Sequence, residues 1–153
     1  MNEYKVHLSE IWDLMQEQIE NGGEVKFSPK GISMLPLIEE GRDSVILKKA
    51  PDRLNKYDVV LYRRANGNFV LHRVVGVKKD SYIMCGDNQF SYEKNVKPNS
   101  ILAIMTGLYQ GDKYISVSDT EYITYSKRIV RKQNIRYNIL RIKVHAKKLL
   151  GIK

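Results

Sequence analysis

Cysteine is almost absent from this sequence. Cys85 is the only one among 153 residues, so the chain cannot form an internal disulfide. Three histidines, at positions 7, 72 and 145, lie far from one another and from Cys85, which is not the spacing of a metal site. We therefore expect no metal and no other cofactor. A chain without disulfides fits a reducing compartment.

Long apolar runs are also lacking. No segment approaches the roughly 18 consecutive apolar residues of a membrane-spanning helix. Residues 1–12, MNEYKVHLSEIW, contain acidic side chains and no apolar stretch of the kind found in secretory signals. The sequence thus predicts a cytoplasmic protein, with membrane association only through a charged surface.

Acidic residues are missing from the end of the chain. Residues 126–153 contain ten Lys or Arg and no Asp or Glu. Residues 1–125 hold the other 16 of the 26 basic residues and all 17 acidic ones, a formal charge of −1. The net charge of +9 therefore belongs to the tail and not to the whole domain.

The N-terminal part of the chain has helical periodicity. Apolar residues recur at steps of three and four over residues 4–20, and Asn-Gly-Gly at 21–23 is a typical helix stop. The apolar stripe consists of Leu8, Ile11, Trp12, Met15 and Ile19. This pattern predicts one amphipathic helix.

Residues 24–125 have the pattern of short strands separated by turns. Asn66-Gly67 lies between two such runs, a strong hairpin signal. Seven strands are predicted, in the segments EVKF, SVILKK, DVVLYRR, FVLHRVVGV, SYIMC, ILAIMTGLY and YISVS. The expected fold is mainly β with flanking helices (α+β), with one compact antiparallel domain over residues 1–126.

Residues 127–153 return to helical spacing. Apolar residues step by four, three, four and three, and Lys and Arg fill the other positions. The stripe is Ile135, Ile139, Ile142, Ala146 and Leu149. Three interpretations stay open: a helix packed on the body, a helix docked on an anionic membrane surface, and a nucleic-acid-binding tail. Because few aromatic residues lie among the bases, we do not expect nucleic acid as the partner.

Three segments contain residues that could carry chemistry: GISMLP with Ser33, VLHRVV with His72, and MCGDNQ with Asp87. A serine nucleophile needs a base, and the base benefits from a carboxylate that fixes its tautomer. Taken singly, each residue has a simpler explanation. Ser33 could be a turn hydroxyl, His72 a half-buried strand histidine, and Asp87 an Asx-turn residue.

Taken together, these segments resemble the serine peptidase clan of type I signal peptidases and LexA-type repressors. The resemblance covers roughly residues 24–108 and is closest to the signal peptidase branch with a histidine base, which His72-Arg73 matches. It implies a compact antiparallel β domain of that type, with Ser33 as nucleophile, His72 as general base and Asp87 as the support of His72. The sequence departs from the pattern: Glu93 is the nearest candidate for a further acid, and a soluble helix stands where signal peptidases have a membrane anchor.

The function expected from these observations is a serine endopeptidase that cleaves a peptide or protein substrate bound as an extended strand. The Ser33 amide is a candidate oxyanion donor, Gly31 allows close approach, and Met34 and Pro36 would fix the turn and wall the site. Cys85 is expected to be a small buried residue. The alternatives are a peptide-binding module without catalysis and a basic-tailed nucleic-acid-binding regulator.

Overall fold

Two helices flank an eight-stranded antiparallel sheet in the computed structural model, which describes residues 8–152. The elements in chain order are α1 (Leu8–Glu20), β1 (Val25–Phe27), β2 (Ser44–Lys48), β3 (Val59–Arg63), β4 (Phe69–Val77), β5 (Tyr82–Cys85), β6 (Glu93–Val96), a 3₁₀ turn (Pro98–Ser100), β7 (Ile101–Gln110), β8 (Lys113–Ser116) and α2 (Thr120–Leu149). The predicted fold class, mainly β with flanking helices, is confirmed.

Strand β7 is central to the sheet. The strand order is β1-β2-β7-β3-β4-β5-β6, and β8 also pairs with β7. The first half of β7 pairs with β3 and its second half with β8, while β2 lies along the other edge. The Asn66-Gly67 turn joins β3 to β4, as predicted. This hairpin carries His72.

All seven predicted strands form, and the sheet contains one more. Strand β6 was missed because its sequence, EKNV, has a single apolar residue and no β-branched run. Helix α2 begins at Thr120, earlier than residue 127, so the segment 24–125 also contains its first turn. Acidic Glu121 in that turn suits a helix N-terminus. The predicted helical residues 4–7 lie outside the described part of the chain.

The central strands of the sheet are buried on both faces. Helix α1 packs Trp12, Met15 and Ile19 against one face, where Val59 and Leu61 of β3 join them. The alternate residues of β3, Val60 and Tyr62, belong to a second cluster on the other face, with Leu54, Val74, Tyr82, Met84 and Val96. Since successive side chains of a strand alternate between faces, β3 reads as a continuous apolar run.

Helix α2 contacts the body from its start to Tyr137, which stacks on Tyr92. The side chains that it buries are Tyr122, Ser126, Val130 and Gln133. The predicted stripe from Ile135 to Leu149 is indeed helical, but it is exposed, so the tail does not pack this stripe on the body. Within residues 8–152, no helix has the length and apolar composition needed to cross a membrane.

Candidate functional site

Ser33 lies in a turn between β1 and β2 that the core holds in place. Met34, Leu37 and Ile38 are buried, while Ser33 is half-buried. The Ile38 amide donates to the Met34 carbonyl at 3.0 Å, closing a turn just after the serine. Just before Ser33, Gly31 has a φ of +90°, a backbone conformation that residues other than glycine rarely adopt. The apolar residues of GISMLPLI therefore anchor the turn and leave the serine at its surface.

His72 lies in the middle of β4, opposite Val60 of β3. It shares a face with Val70, while Leu71 and Arg73 face the other way, as strand alternation predicts. The residue is only 4% exposed. A histidine at this depth is held rigidly by the sheet, which suits a base whose ring must keep one orientation.

The loop after β5, residues 86–88, joins the serine turn to the histidine strand. The Asn88 amide donates to the Ser33 carbonyl at 2.9 Å, and its side-chain amide donates to the Ile32 carbonyl at 3.1 Å. A Cβ on Gly86 would lie 2.6 Å from the Ser33 carbonyl oxygen and 3.1 Å from His72 Nε2. Glycine is therefore required here, because the Ser33 backbone and the His72 ring both pack against this residue.

Asp87 does not form the expected hydrogen bond with His72. Its two carboxylate oxygens accept from Nε and Nη2 of Arg73, both at 2.8 Å, and Tyr125 donates to it at 2.9 Å. Arg73 also donates to Ser126 Oγ at 2.8 Å. Arg73 follows His72 in the strand and points to the opposite face, where it binds both carboxylate oxygens of Asp87. Asp87 thus fixes the loop and helix α2, not the histidine ring.

Tyr62 and Glu93 occupy the place beside His72 that was expected for Asp87. The Tyr62 hydroxyl donates to Glu93 Oε2 at 2.6 Å and lies 3.3 Å from His72 Nδ1. A tyrosine hydroxyl has one proton. Since Glu93 accepts that proton, Nδ1 of His72 carries its own hydrogen and donates to the Tyr62 oxygen. This assignment leaves the lone pair of the neutral ring on Nε2, the nitrogen next to Gly86.

Arg64 completes this group. Its Nη2 donates to Glu93 at 2.8 Å and its Nε at 3.1 Å. Burial, together with the nearby Arg64 guanidinium, lowers the pKa of His72 to about 4, and Glu93 and Asp87 only partly oppose this. Burial alone would raise the pKa of Glu93, but hydrogen bonds from Arg64 and Tyr62 lower it. At neutral pH, His72 is therefore a neutral imidazole and Glu93 is an ionised carboxylate.

Ser33 and His72 line one cavity of about 790 Å³. Gly31 and Met34 also line it, whereas Pro36 is exposed outside its lining. Within residues 8–152 the Ser33 hydroxyl and His72 Nε2 do not form a hydrogen bond with each other. Catalytic hydrogen bonds are often long without substrate and tighten when it binds.

Two strand edges border this cavity. In the described part of the chain, β1 pairs only with β2, so its outer edge is open. The first half of β4, residues 69–72, pairs with β3, but pairing with β5 begins only at Arg73. Phe27 and Val70 line the cavity from these two edges. An extended peptide can therefore add main-chain hydrogen bonds next to Ser33 and His72.

The remaining reactive groups of residues 8–152 form no second site. Cys85 is buried, and burial, with Asp87 nearby, raises the pKa of its thiol to about 12, so the thiolate is scarce. Among residues 8–152, no group of three or more His, Cys, Asp and Glu could hold a metal ion.

Several residues of the site were not found from the sequence. Gly86 and Asn88 could have been, because they flank Asp87 in the Gly-Asp-Asn segment. Glu93 was singled out only as the nearest candidate for a further acid, and not as a neighbour of Tyr62. Tyr62 and Arg64 had no signal of their own, because a strand tyrosine and a charged residue at a strand end are common in any β protein. Their role depends on the pairing of β3 with β4 and on the position of β6.

Comparison of the chain with models of known families, with curated proteins and with solved structures gave no significant match. The assignment of a function therefore rests on the residues and geometry of the site.

Proposed function

We propose that this protein is a serine endopeptidase in which Ser33 is the nucleophile and His72 the general base. The observation that carries the proposal is the joint attachment of three segments: the loop 86–88 binds the Ser33 turn through Asn88 and packs Gly86 against His72 Nε2. The resemblance of these same segments to the signal peptidase and LexA-type clan supports it independently of the geometry.

The reaction would proceed by acyl transfer. Ser33 Oγ attacks the carbonyl carbon of the scissile peptide bond while His72 Nε2 takes its proton. The charged ring then donates this proton to the leaving amine, and a water molecule hydrolyses the acyl-enzyme with His72 again as base. The Ser33 amide is the proposed donor to the oxyanion. Tyr62 and Glu93 keep Nδ1 protonated, so that Nε2 is always the nitrogen that accepts.

The cavity supports one class of substrate. Its borders are strand edges, and its floor is apolar, with Met15, Ile38, Leu61 and Leu71 among the lining residues. A peptide bound as an added strand points alternate side chains to this floor. We expect a peptide or protein substrate with an apolar residue near the cleaved bond, bound in extended form.

The test is acylation of the full chain by a serine-reactive acylating probe, followed by intact-mass measurement and peptide mapping. Wild type should gain one acyl group on Ser33, whereas Ser33→Ala and His72→Ala should gain none and keep the wild-type circular dichroism spectrum. Ser28→Ala is the matched control, since Ser28 lines the same cavity and should label as wild type does. Labelling of Ser33→Ala at the wild-type rate would overturn the nucleophile assignment.

One observation favours a second function, a peptide-binding module without catalysis. The Ser33 hydroxyl and His72 Nε2 form no hydrogen bond with each other in the described residues, although the groove with its two open strand edges is complete. A chain that binds apolar extended peptides with unchanged affinity in Ser33→Ala, and that never forms an acyl adduct, would support this function in place of the first.

A further inference from the structure

Beyond Tyr137, which stacks on Tyr92, helix α2 leaves the body of the protein. From Ile135 to Ile152 every side chain except Tyr137 is exposed. Large aliphatic residues are among them: Ile135 is 51% exposed, Ile142 68% and Leu149 74%. Exposed aliphatic groups at this density are unusual on a surface that faces only water. We call residues 135–152 the distal segment.

The apolar stripe of the distal segment lies on a different side of α2 from the face that packs on the sheet. At about 100° per residue, the buried residues of the first half, Tyr122, Ser126, Val130 and Gln133, define the face that packs on the sheet. The stripe, which consists of Ile135, Ile139, Ile142, Ala146 and Leu149, lies about half a turn around the helix from that face. The packing of the first half of α2 on the sheet therefore does not extend along the stripe, which is exposed.

The flanks of the stripe carry charge of one sign. The distal segment contains Arg136, Arg141, Lys143, Lys147 and Lys148, and no acidic residue follows Glu121 anywhere in the chain. An apolar strip between basic flanks matches the layered chemistry of an anionic bilayer, with acidic headgroups above acyl chains.

From these observations we infer that the distal segment docks the protein on an anionic membrane surface, lying in the interface with its isoleucine stripe toward the acyl chains. This inference does not depend on the peptidase reaction. Two copies of the chain paired through the stripe would bring basic flanks together without any acid to pair with them, which disfavours self-association. Nucleic acid would use the bases but would leave the aliphatic stripe in water.

Sedimentation of the full chain with vesicles tests the inference. Vesicles of equal parts phosphatidylglycerol and phosphatidylcholine should bring the wild-type protein down, and pure phosphatidylcholine vesicles should not. Raising the salt concentration should weaken the binding, since the charges lie at the surface. Lys143→Gln and Lys147→Gln should each reduce the binding constant about fivefold, which corresponds to the usual contribution of one base near an anionic surface.

Matched substitutions test whether vesicle binding depends on the stripe itself or only on apolar or basic residues anywhere in the protein. Ile139→Ser with Ile142→Ser should abolish vesicle binding, whereas Leu140→Ser with Val144→Ser, on the other side of the same segment, should keep most of it. Lys49→Gln with Lys79→Gln, on the body, should bind as wild type does. Circular dichroism checks that each variant is folded.

Three results would overturn the inference. The first is no binding of wild type to the anionic vesicles. The second is equal loss of binding in the Ile139/Ile142 and Leu140/Val144 double variants. The third is a dimer of the wild-type chain in sedimentation velocity that Ile139→Ser with Ile142→Ser converts to a monomer, which would assign the stripe to a second copy.

Discussion

Two arginine–carboxylate pairs lie near His72, and they differ in depth. Arg73 and Asp87 are both 0% exposed, whereas Arg64 and Glu93 are 38% and 31% exposed. The shortest distance from nitrogen to oxygen is 2.8 Å in each. Geometry alone therefore does not distinguish the pairs, and the difference in their surroundings decides what each one does.

The buried pair is a structural junction. Arg73 and Asp87 together join strand β4, the loop 86–88 and helix α2, and Tyr125 and Ser126 supply further hydrogen bonds. Once both charges are removed from water, loss of one leaves the other unpaired, at a cost far above the value of an exposed pair. The half-exposed pair has water as an alternative partner, so its loss costs little stability. The Arg64–Glu93 pair acts instead on the neighbouring His72 ring, whose pKa it affects.

Asp87→Asn should have the largest effect on folding. The substitution leaves the Arg73 guanidinium buried without its carboxylate, and we expect the free energy of unfolding to fall by about 3–5 kcal/mol. Chemical denaturation followed by circular dichroism measures this. Asp80→Asn, which changes an exposed acid in the turn before β5, is the matched control and should change stability by less than about 0.5 kcal/mol.

A small loss of stability in Asp87→Asn would contradict the contrast between the buried and the half-exposed pair, because it would mean that water reaches Arg73 and Asp87. A second variant keeps the test informative if Asp87→Asn does not fold. Arg73→Met with Asp87→Leu removes both charges and should fold, since replacing a buried ion pair by apolar residues of similar size is often neutral.

Glu93→Gln should have the opposite outcome to Asp87→Asn, with little change in stability and a clear loss of activity. The unfolding free energy should change by less than about 1 kcal/mol. The acylation rate of Ser33 should fall roughly tenfold to a hundredfold, less than the 10²–10⁴ contribution of a general base itself, because His72 remains but its tautomer is less well fixed. Glu24→Gln, an exposed acid paired with Lys48, is the control. Equal acylation rates in Glu93→Gln and wild type would remove Glu93 from the positioning of His72.

The same two pairs explain how far the sequence could be interpreted. Alternation in β4 was sufficient to predict that His72 and Arg73 face opposite ways, and the Gly-Asp-Asn segment was sufficient to bring Asp87 into the site. The sequence could not predict that Asp87 would bind Arg73 and not His72, because this pairing depends on the hydroxyl groups that α2 adds around Arg73. Glu93 lies on a strand with a single apolar residue, so its approach to Tyr62 had no sequence signal.

Helix α2 shows a second limit of prediction from the sequence. Periodicity correctly predicted a basic helix at the end of the chain, but it could not tell which face would meet the body. Two apolar faces follow one another along the helix on opposite sides, and only the first, with Tyr122 and Val130, finds a partner in the sheet.

The pH dependence of acylation should reflect the lowered pKa of His72. The ring is an effective base only when neutral, and burial lowers its pKa to about 4. The acylation rate should therefore stay constant from neutral pH down to about 5 and fall to half near pH 4, whereas an unperturbed histidine would lose half its activity near pH 6.5. Rates measured beside Ser33→Ala correct for reaction at other groups. A midpoint near 6.5 in a protein still folded by circular dichroism would contradict the burial of the ring.

Arg64→Gln should produce the smallest effect and the sharpest comparison between the pairs. The guanidinium lowers the pKa of His72, and its removal also leaves the Glu93 carboxylate without its counter-ion, so both changes should raise that pKa, by on the order of half a pH unit. A nuclear magnetic resonance titration of the His72 ring measures this without any substrate, and Arg63→Gln, the neighbour on the same strand, is the control. A lower pKa in Arg64→Gln would mean that Glu93 leaves Tyr62 once its partner is gone. The half-exposed pair would then act through position, as the buried pair does, and not through charge.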